Sequence, residues 1–345
     1  QFHYTPEKGW GNDPNGLIYY KGEYHLFYQH NPTAVGAWNI HWGHAVSKDL
    51  IHWEELDLAL FPDENGTCWS GSCIIDETNK SGLFKDNTGG MIAFYTCWDH
   101  DKPQQQCLAY SEDCGRTWKK YEGNPIIPTS KDPLENGDFR DPYVFWHEEA
   151  NKYMMIVAGG PLRIYSSTNL IDWTFESGYD SAHTQYRPQG APSIHSECPA
   201  LFKMNVDGTE GKEKWVYVAS GRWYMIGDFK QVNGKWAFIP DSSKQYGMTV
   251  GLDKYAFQTF NNVQDGRVLG LYWMNDWGYA EAITNITKTF NGTYSMVYEM
   301  SLKTTSDGIR LFMKPAEEYV DLRKENIANL KKVTVTEKGE NVLKE

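Results

Sequence analysis

Residues 13–29 read Asp13-Pro-Asn-Gly-Leu-Ile-Tyr-Tyr-Lys-Gly-Glu-Tyr-His-Leu-Phe-Tyr-Gln29. A polar turn opens the stretch and an apolar run follows. Lys21-Gly22 then turns the chain, and a second apolar run returns. β-Branched and aromatic residues flanking a glycine turn predict a hairpin. The plan recurs near Ser70, Asp141, Glu197 and Asp253, at intervals of 57, 71, 56 and 56 residues. A second string, a polar turn ending in tryptophan, has a similar period. It closes at Trp53, Trp118 and Trp173, with a weaker relative at Trp236. Five units of roughly 60 residues, each of about four short strands, predict an all-β, five-bladed β-propeller. Apolar and polar residues alternate only partly along the strands, as expected of sheets packed on both faces.

The composition agrees. Among 345 residues there are 22 Tyr, 15 Phe and 14 Trp, which favours strands over helical bundles. Fourteen tryptophans exceed the needs of one core, so some are expected on a surface that stacks on a sugar. The net charge of −12 argues against a nucleic-acid backbone or an anionic membrane surface as partner. Without an apolar run of membrane-spanning length, no transmembrane helix is expected. No charged-then-apolar leader opens the sequence, so any signal peptide is expected to have been removed or never to have existed. The six cysteines form no CxxC pair, so a structural metal is not expected and most thiols are expected to be free. Sequons occur at Asn65, Asn79, Asn285 and Asn291.

A propeller has a geometric consequence. The first strand of each blade lines the central axis, so the residues opening those strands converge on one funnel. Asp13, Asp141, Glu197 and Asp253 are therefore predicted neighbours. Three of the acidic motifs set a carboxylate close to proline, where extended backbone is expected: Asp13-Pro14, Asp141-Pro142 and Glu197-Cys-Pro199. Two converging carboxylates are the minimum equipment for cleaving a glycosidic bond. One must be ionised, and the other must hold a proton at working pH. Arg140, next to Asp141, suits a clamp on sugar hydroxyls and would itself hold Asp141 ionised. The chemistry needs no metal and no organic cofactor.

Five motifs together resemble glycoside hydrolase family 32, which contains invertases, inulinases and levanases. They are Trp10-Gly-Asn-Asp-Pro-Asn-Gly16, Gln29-His-Asn-Pro32, Trp69-Ser-Gly-Ser72, Arg140-Asp-Pro142 and Glu197-Cys-Pro199. Further matches are Tyr255-Ala-Phe-Gln-Thr-Phe260 and Trp273-Met-Asn-Asp-Trp277. The resemblance implies a propeller with a funnel-shaped active site and a retaining, two-step release of fructose from sucrose or β-fructans such as inulin and levan. It makes Asp13 the nucleophile, Glu197 the acid/base and Asp141 the transition-state stabiliser. Asn12, Gln29, Trp38, Trp69, Ser70, Arg140 and Trp273 would bind the sugar.

Some positions depart from the family pattern. Gly11 stands where Met is usual, Tyr143 where Lys is frequent, Ser196 where Trp is frequent and Ala200 where Asp is frequent. The family's C-terminal β-sandwich is expected to be missing, either absent by nature or lost by truncation or processing. Residues 1–312 are expected to form the catalytic propeller and residues 313–345 a strap or linker. The alternatives are a fructosyltransferase using the same residues, a related arabinose-releasing propeller, or a catalytically silent fructan-binding propeller. The polymer substrate class and the sequons suggest a secreted or cell-surface protein, with the cytoplasm as the alternative. Trp98-Asp-His-Asp101 reads either as a contributor to a leaving-group subsite or as a solvated turn.

Overall fold

In the computed structural model, residues 3–85, 88–133, 137–159, 162–179, 197–242, 244–248, 251 and 253–324 are described, without the side chain of Asn285. The opening hairpin forms as expected: β1 (Gly9–Tyr20) pairs antiparallel with β2 (Glu23–Asn31). With β3 (His41–Ser47) and β4 (Trp53–Leu60) they make the first blade. The second blade is β5 (Thr67–Asp76), β6 (Gly90–Asp99), β7 (Lys102–Ser111) and β8 (Lys119–Lys120). The third is β9 (Arg140–His147), β10 (Lys152–Ala158), β11 (Leu162–Ser167) and β12 (Thr174–Tyr179). The fourth is β13 (Ala200–Asn205), β14 (Glu213–Ala219), β15 (Trp223–Val232) and β16 (Lys235–Pro240), with β17 (Tyr246–Gly247) added to β15. The fifth is β18 (Tyr255–Thr259), β19 (Val268–Trp273), β21 (Tyr298–Thr305) and β22 (Gly308–Pro315). Between β19 and β21, β20 (Phe290–Asn291) leaves its blade and pairs parallel with β1, joining the fifth blade to the first.

Each blade is a meander of sequential antiparallel strands. Inner strands are buried on both faces, which is why their sequences read as apolar runs. The repeated polar-turn tryptophans have a common structural job. The indole of Trp53 donates to Leu50 O, that of Trp118 to Gly115 O and that of Trp173 to Leu170 O, each closing its own turn.

Polar side chains cross-link the inner strands along the axis. Ser72 Oγ donates to Pro142 O (2.9 Å) and accepts from Val144 N (2.9 Å). Gln258 Nε2 donates to Gly71 O (2.9 Å), while its Oε1 accepts from Leu17 N (3.1 Å). Asn261 Nδ2 donates to Cys73 O at 2.7 Å, and the Tyr143 and Thr259 hydroxyls lie 2.6 Å apart. The axis is thus filled with satisfied polar groups, as a buried position requires.

Most of the thiols are free, as expected, and one pair is not. Cys97 and Cys107, on neighbouring strands β6 and β7 with Cα atoms 6.0 Å apart, form a disulfide. The thiols of Cys68, Cys73, Cys114 and Cys198 are free. Asn291 is fully buried and donates to Ala280 O at 2.8 Å, so its sequon is a packing element. In the final segment, Glu317–Leu322 form a 3-10 turn. The remainder of the expected strap, residues 325–345, lies outside the described residues.

Candidate active site

The inner strands β1, β5, β9 and β18 are irregular where they enter the funnel. The β1–β2 register shifts between Gly11 and Pro14, placing Asn12 and Asp13 in a bulge. The β5–β6 register shifts between Cys68 and Gly71, around Trp69 and Ser70. The β9–β10 register shifts around Asp141 and Pro142, and the β18–β19 register between Tyr255 and Gln258. A bulge re-aims side chains that regular pleating would send to a blade face. It also changes the backbone expected beside proline. Asp141 and Cys198 each precede a proline, yet they adopt φ of +63° and +42°. Both residues are left-handed and not extended; at Asp141 the bulge outweighs the local preference of the pre-proline position.

The bulges converge on a cavity of about 360 Å³. Its wall includes Asn12, Asp13, Gln29, Trp38, Trp69, Ser70, Arg140, Asp141 and Glu197. Nine of the ten residues singled out in the sequence therefore meet here. The tenth, Trp273, does not line the cavity. It is fully buried, with its ring 5.0 Å from that of Trp277, which does line the wall and is 46% exposed. Asp253 also fails to join the cluster: it is exposed, and Tyr255, two residues further on, reaches the cavity instead. Sequence reading also assigned no role to Tyr255, Trp277 or Glu281, all of which line the wall. The first two sit inside stretches already noted for resemblance, which was the available signal.

Asp13 is held on both oxygens. Asn12 Nδ2 donates to Oδ1 at 3.0 Å, and Ser70 Oγ donates to Oδ2 at 2.6 Å. Cys198 Sγ also donates to Oδ2, at 3.2 Å. Asn12 is itself oriented by the Trp10 indole, which donates to its Oδ1 at 2.7 Å. Burial raises the Asp13 pKa above the ordinary carboxylate range, and the Ser70 and Cys198 donors oppose that rise. The Cys198 thiol is itself pushed well up by burial and by three nearby carboxylates, so it is a neutral S–H donor.

Asp141 Oδ2 accepts the backbone N–H of Cys198 at 2.8 Å. Its own N–H donates to Thr96 Oγ1 at 2.9 Å. Here the expectation about Arg140 is corrected. The guanidinium forks to Glu197 Oε1, at 3.0 and 3.3 Å, and to Asp138 Oδ1 at 2.8 Å. Asp141 feels the charge of Arg140 only through space. Burial, reinforced by Asp13 and Glu197, outweighs Arg140 and lifts Asp141 to about 7. Glu197 is held on its other oxygen by Tyr255, whose hydroxyl donates to Oε2.

The substituted neighbours have local reasons. A Cβ at position 11 would meet Tyr294 Oη at 3.0 Å, so Gly11 leaves room for that ring. Tyr143 spends its hydroxyl on Thr259, and Ala200 is fully buried. Ser196 lies outside the described residues. Among the described residues, no group of three or more His, Cys, Asp or Glu side chains could hold a metal ion.

Residues 3–315 match the family described as glycosyl hydrolases family 32, N-terminal domain. A fructan beta-fructosidase of Streptococcus mutans is 42% identical over 97% of this chain and 23% of its own length. A levanase of Bacillus subtilis is 40% identical over 99% of this chain and 50% of its own length. The chain thus spans half or less of these two relatives. The crystal structure of an exo-inulinase from Aspergillus awamori superposes with a TM-score of 0.82 at 34% identity, covering 93% of this chain and 68% of that one.

Proposed function

This chain belongs to glycosyl hydrolase family 32, and on that premise we propose that it releases fructose from sucrose or β-fructans with retention at the anomeric carbon. One observation carries the reading: three carboxylates from three different blades face one cavity, each with a different set of partners.

Asp13 is the nucleophile. Its carboxylate attacks C2 of the terminal fructosyl unit. The bond from C2 to the leaving oxygen breaks, and Glu197 protonates that oxygen. Proton loss leaves Glu197 negative, and that charge is met by the Arg140 fork and the Tyr255 hydroxyl. Glu197 then takes a proton from water as the water oxygen attacks C2 and displaces Asp13. Asp141 stabilises the positive charge that develops on the sugar in both steps. A carboxyl raised to about 7 ionises more readily as a cation forms beside it.

Asn12, Gln29, Ser70 and Arg140 supply polar contacts to the fructosyl hydroxyls, and Trp38 and Trp69 supply apolar faces. Trp277 takes the wall position first assigned to Trp273. No cofactor enters this scheme. A polymeric substrate supports secretion or display at the cell surface. Among the described residues, no helix is long and apolar enough to cross a membrane.

A time course of products from sucrose, inulin and levan tests the proposal. Fructose from at least one of them is the expected result. Early products longer than the input would move the assignment to fructosyl transfer. An absence of products from all three would overturn it in favour of a silent binder.

A further inference from the structure

One wall of the cavity continues outward as an arc of aromatic rings. Trp69 lines the cavity, and the Trp98 ring lies 4.7 Å from it. His100 follows at 4.9 Å from Trp98, and Trp38 at 6.3 Å from His100. Trp38 returns to the cavity wall. Two of these rings, Trp98 and His100, lie outside the cavity lining and have no part in the scheme above. His100 occupies the turn between β6 and β7, between the exposed acids Asp99 and Asp101.

Trp38 is 64% exposed and sits in the left-handed region at φ +96°. A bulky residue rarely adopts that conformation without support. Here the loop is tied on several sides. Asn31 donates to Gly36 O at 3.0 Å, Asn291 to Val35 O at 3.3 Å, and the His41 ring bonds Asn39 O at 2.8 Å. The fold thus holds a large apolar ring in water, at the mouth of a sugar-sized cavity. Apolar rings fringed by carboxylates match the surface of a neutral oligosaccharide, whose C–H faces stack and whose hydroxyls seek acceptors.

We infer that Trp98 and His100, bridging Trp69 and Trp38, form an extended subsite for the leaving-group side of the substrate. It takes the second and third sugars beyond the scissile bond, and so favours β-fructan oligosaccharides over sucrose. This rests on the fructosidase reading and specifies which substrates that site prefers. Sucrose has a single sugar beyond its scissile bond and is held mainly by the inner wall. A longer chain must leave through the mouth, over the arc.

The test compares a fructo-oligosaccharide of four units with sucrose. Binding is measured by calorimetry in the full chain carrying Asp13→Asn, so that the result does not depend on turnover. In that background Trp98→Ala should reduce the ratio of tetrasaccharide to sucrose affinity by about 3- to 10-fold. His100→Ala should reduce the ratio by a smaller factor, and Trp98→Phe should restore most of what alanine removes. Unchanged ratios in both alanine variants would overturn the subsite. So would equal losses on both sugars, because Trp98 would then merely support Trp69. Separately, absence of fructose release by the parent chain would overturn the hydrolase reading and leave the binding result to stand alone.

Discussion

The thiol of Cys198 lies 3.2 Å from Oδ2 of Asp13 and donates to it. Cys198 directly follows Glu197, and its backbone N–H holds Asp141. One residue therefore links three carboxylates that arise on separate blades. The entrance to β13 is thereby tied to all three.

Removing either donor to Asp13 Oδ2 should alter the pH profile. Both Ser70 and Cys198 lower a carboxyl that burial has raised. A nucleophile must be ionised, so activity falls as pH drops through its pKa. Cys198→Ala or Ser70→Ala raises that pKa further, and the acid limb of kcat/KM moves to higher pH. Cys198→Ser, which keeps a donor, should move it less. A shift towards lower pH in the alanine variants would contradict the assigned contact.

Asp13→Asn and Glu197→Gln should each lower turnover by about 10³- to 10⁶-fold, with the fold retained. Circular dichroism and sucrose or fructan hydrolysis read the two properties separately. Near-normal turnover in either variant would remove that residue from its role.

The raised pKa of Asp141 also carries a stability prediction. Its folded value is about 7, against an ordinary value near 4. The folded state then binds the proton more tightly than the unfolded chain. The stabilising contribution is fully present below about pH 4 and is lost as pH rises through about 7. Asp141→Asn, which carries no charge to desolvate, should gain in Tm relative to the parent between pH 5 and 8 while losing activity. Comparing variant with parent cancels the opposite trend of buried His25, whose pKa burial lowers to about 4. A variant that loses Tm on this scale as pH rises would contradict the burial argument.

Arg163 and Asp132 form a fully buried ion pair, with Nη2 to Oδ2 at 2.6 Å and Nε to Oδ1 at 2.9 Å. The guanidinium also lies 5.2 Å from the Phe139 ring, next to Arg140. Asp132→Ala strands a buried cation and should cost about 3–5 kcal/mol in denaturant unfolding. A loss below about 1 kcal/mol would mean that the pair is not desolvated as described.

The fold was legible because each blade repeats one sequence plan, and repetition survives where single-strand propensities are weak. The convergence of Asp13, Asp141 and Glu197 followed from their equivalent places on inner strands. The same rule failed at Asp253, because the fifth blade enters the funnel two residues later, at Tyr255. It failed at Trp273 because β19 carries that ring beneath Trp277, and apolar content alone does not rank two neighbouring tryptophans by depth. The β20–β1 pairing involves two residues on each strand. No local pattern announces so short a contact. Arg140 was adjacent to Asp141 in sequence, but the left-handed bulge turned its fork towards Glu197.

The polar side chains along the axis have an evolutionary consequence. Repeat arrays joined only to their nearest neighbours can loosen one unit at a time. Here Ser72, Gln258 and Asn261 fasten backbone of other blades, so the hub is shared property. Mutational drift at the outer edges of the blades leaves the hub untouched. Insertions in the rim turns can re-tool specificity while the three carboxylates keep their mutual positions. A substitution at the hub itself would be felt by several blades at once.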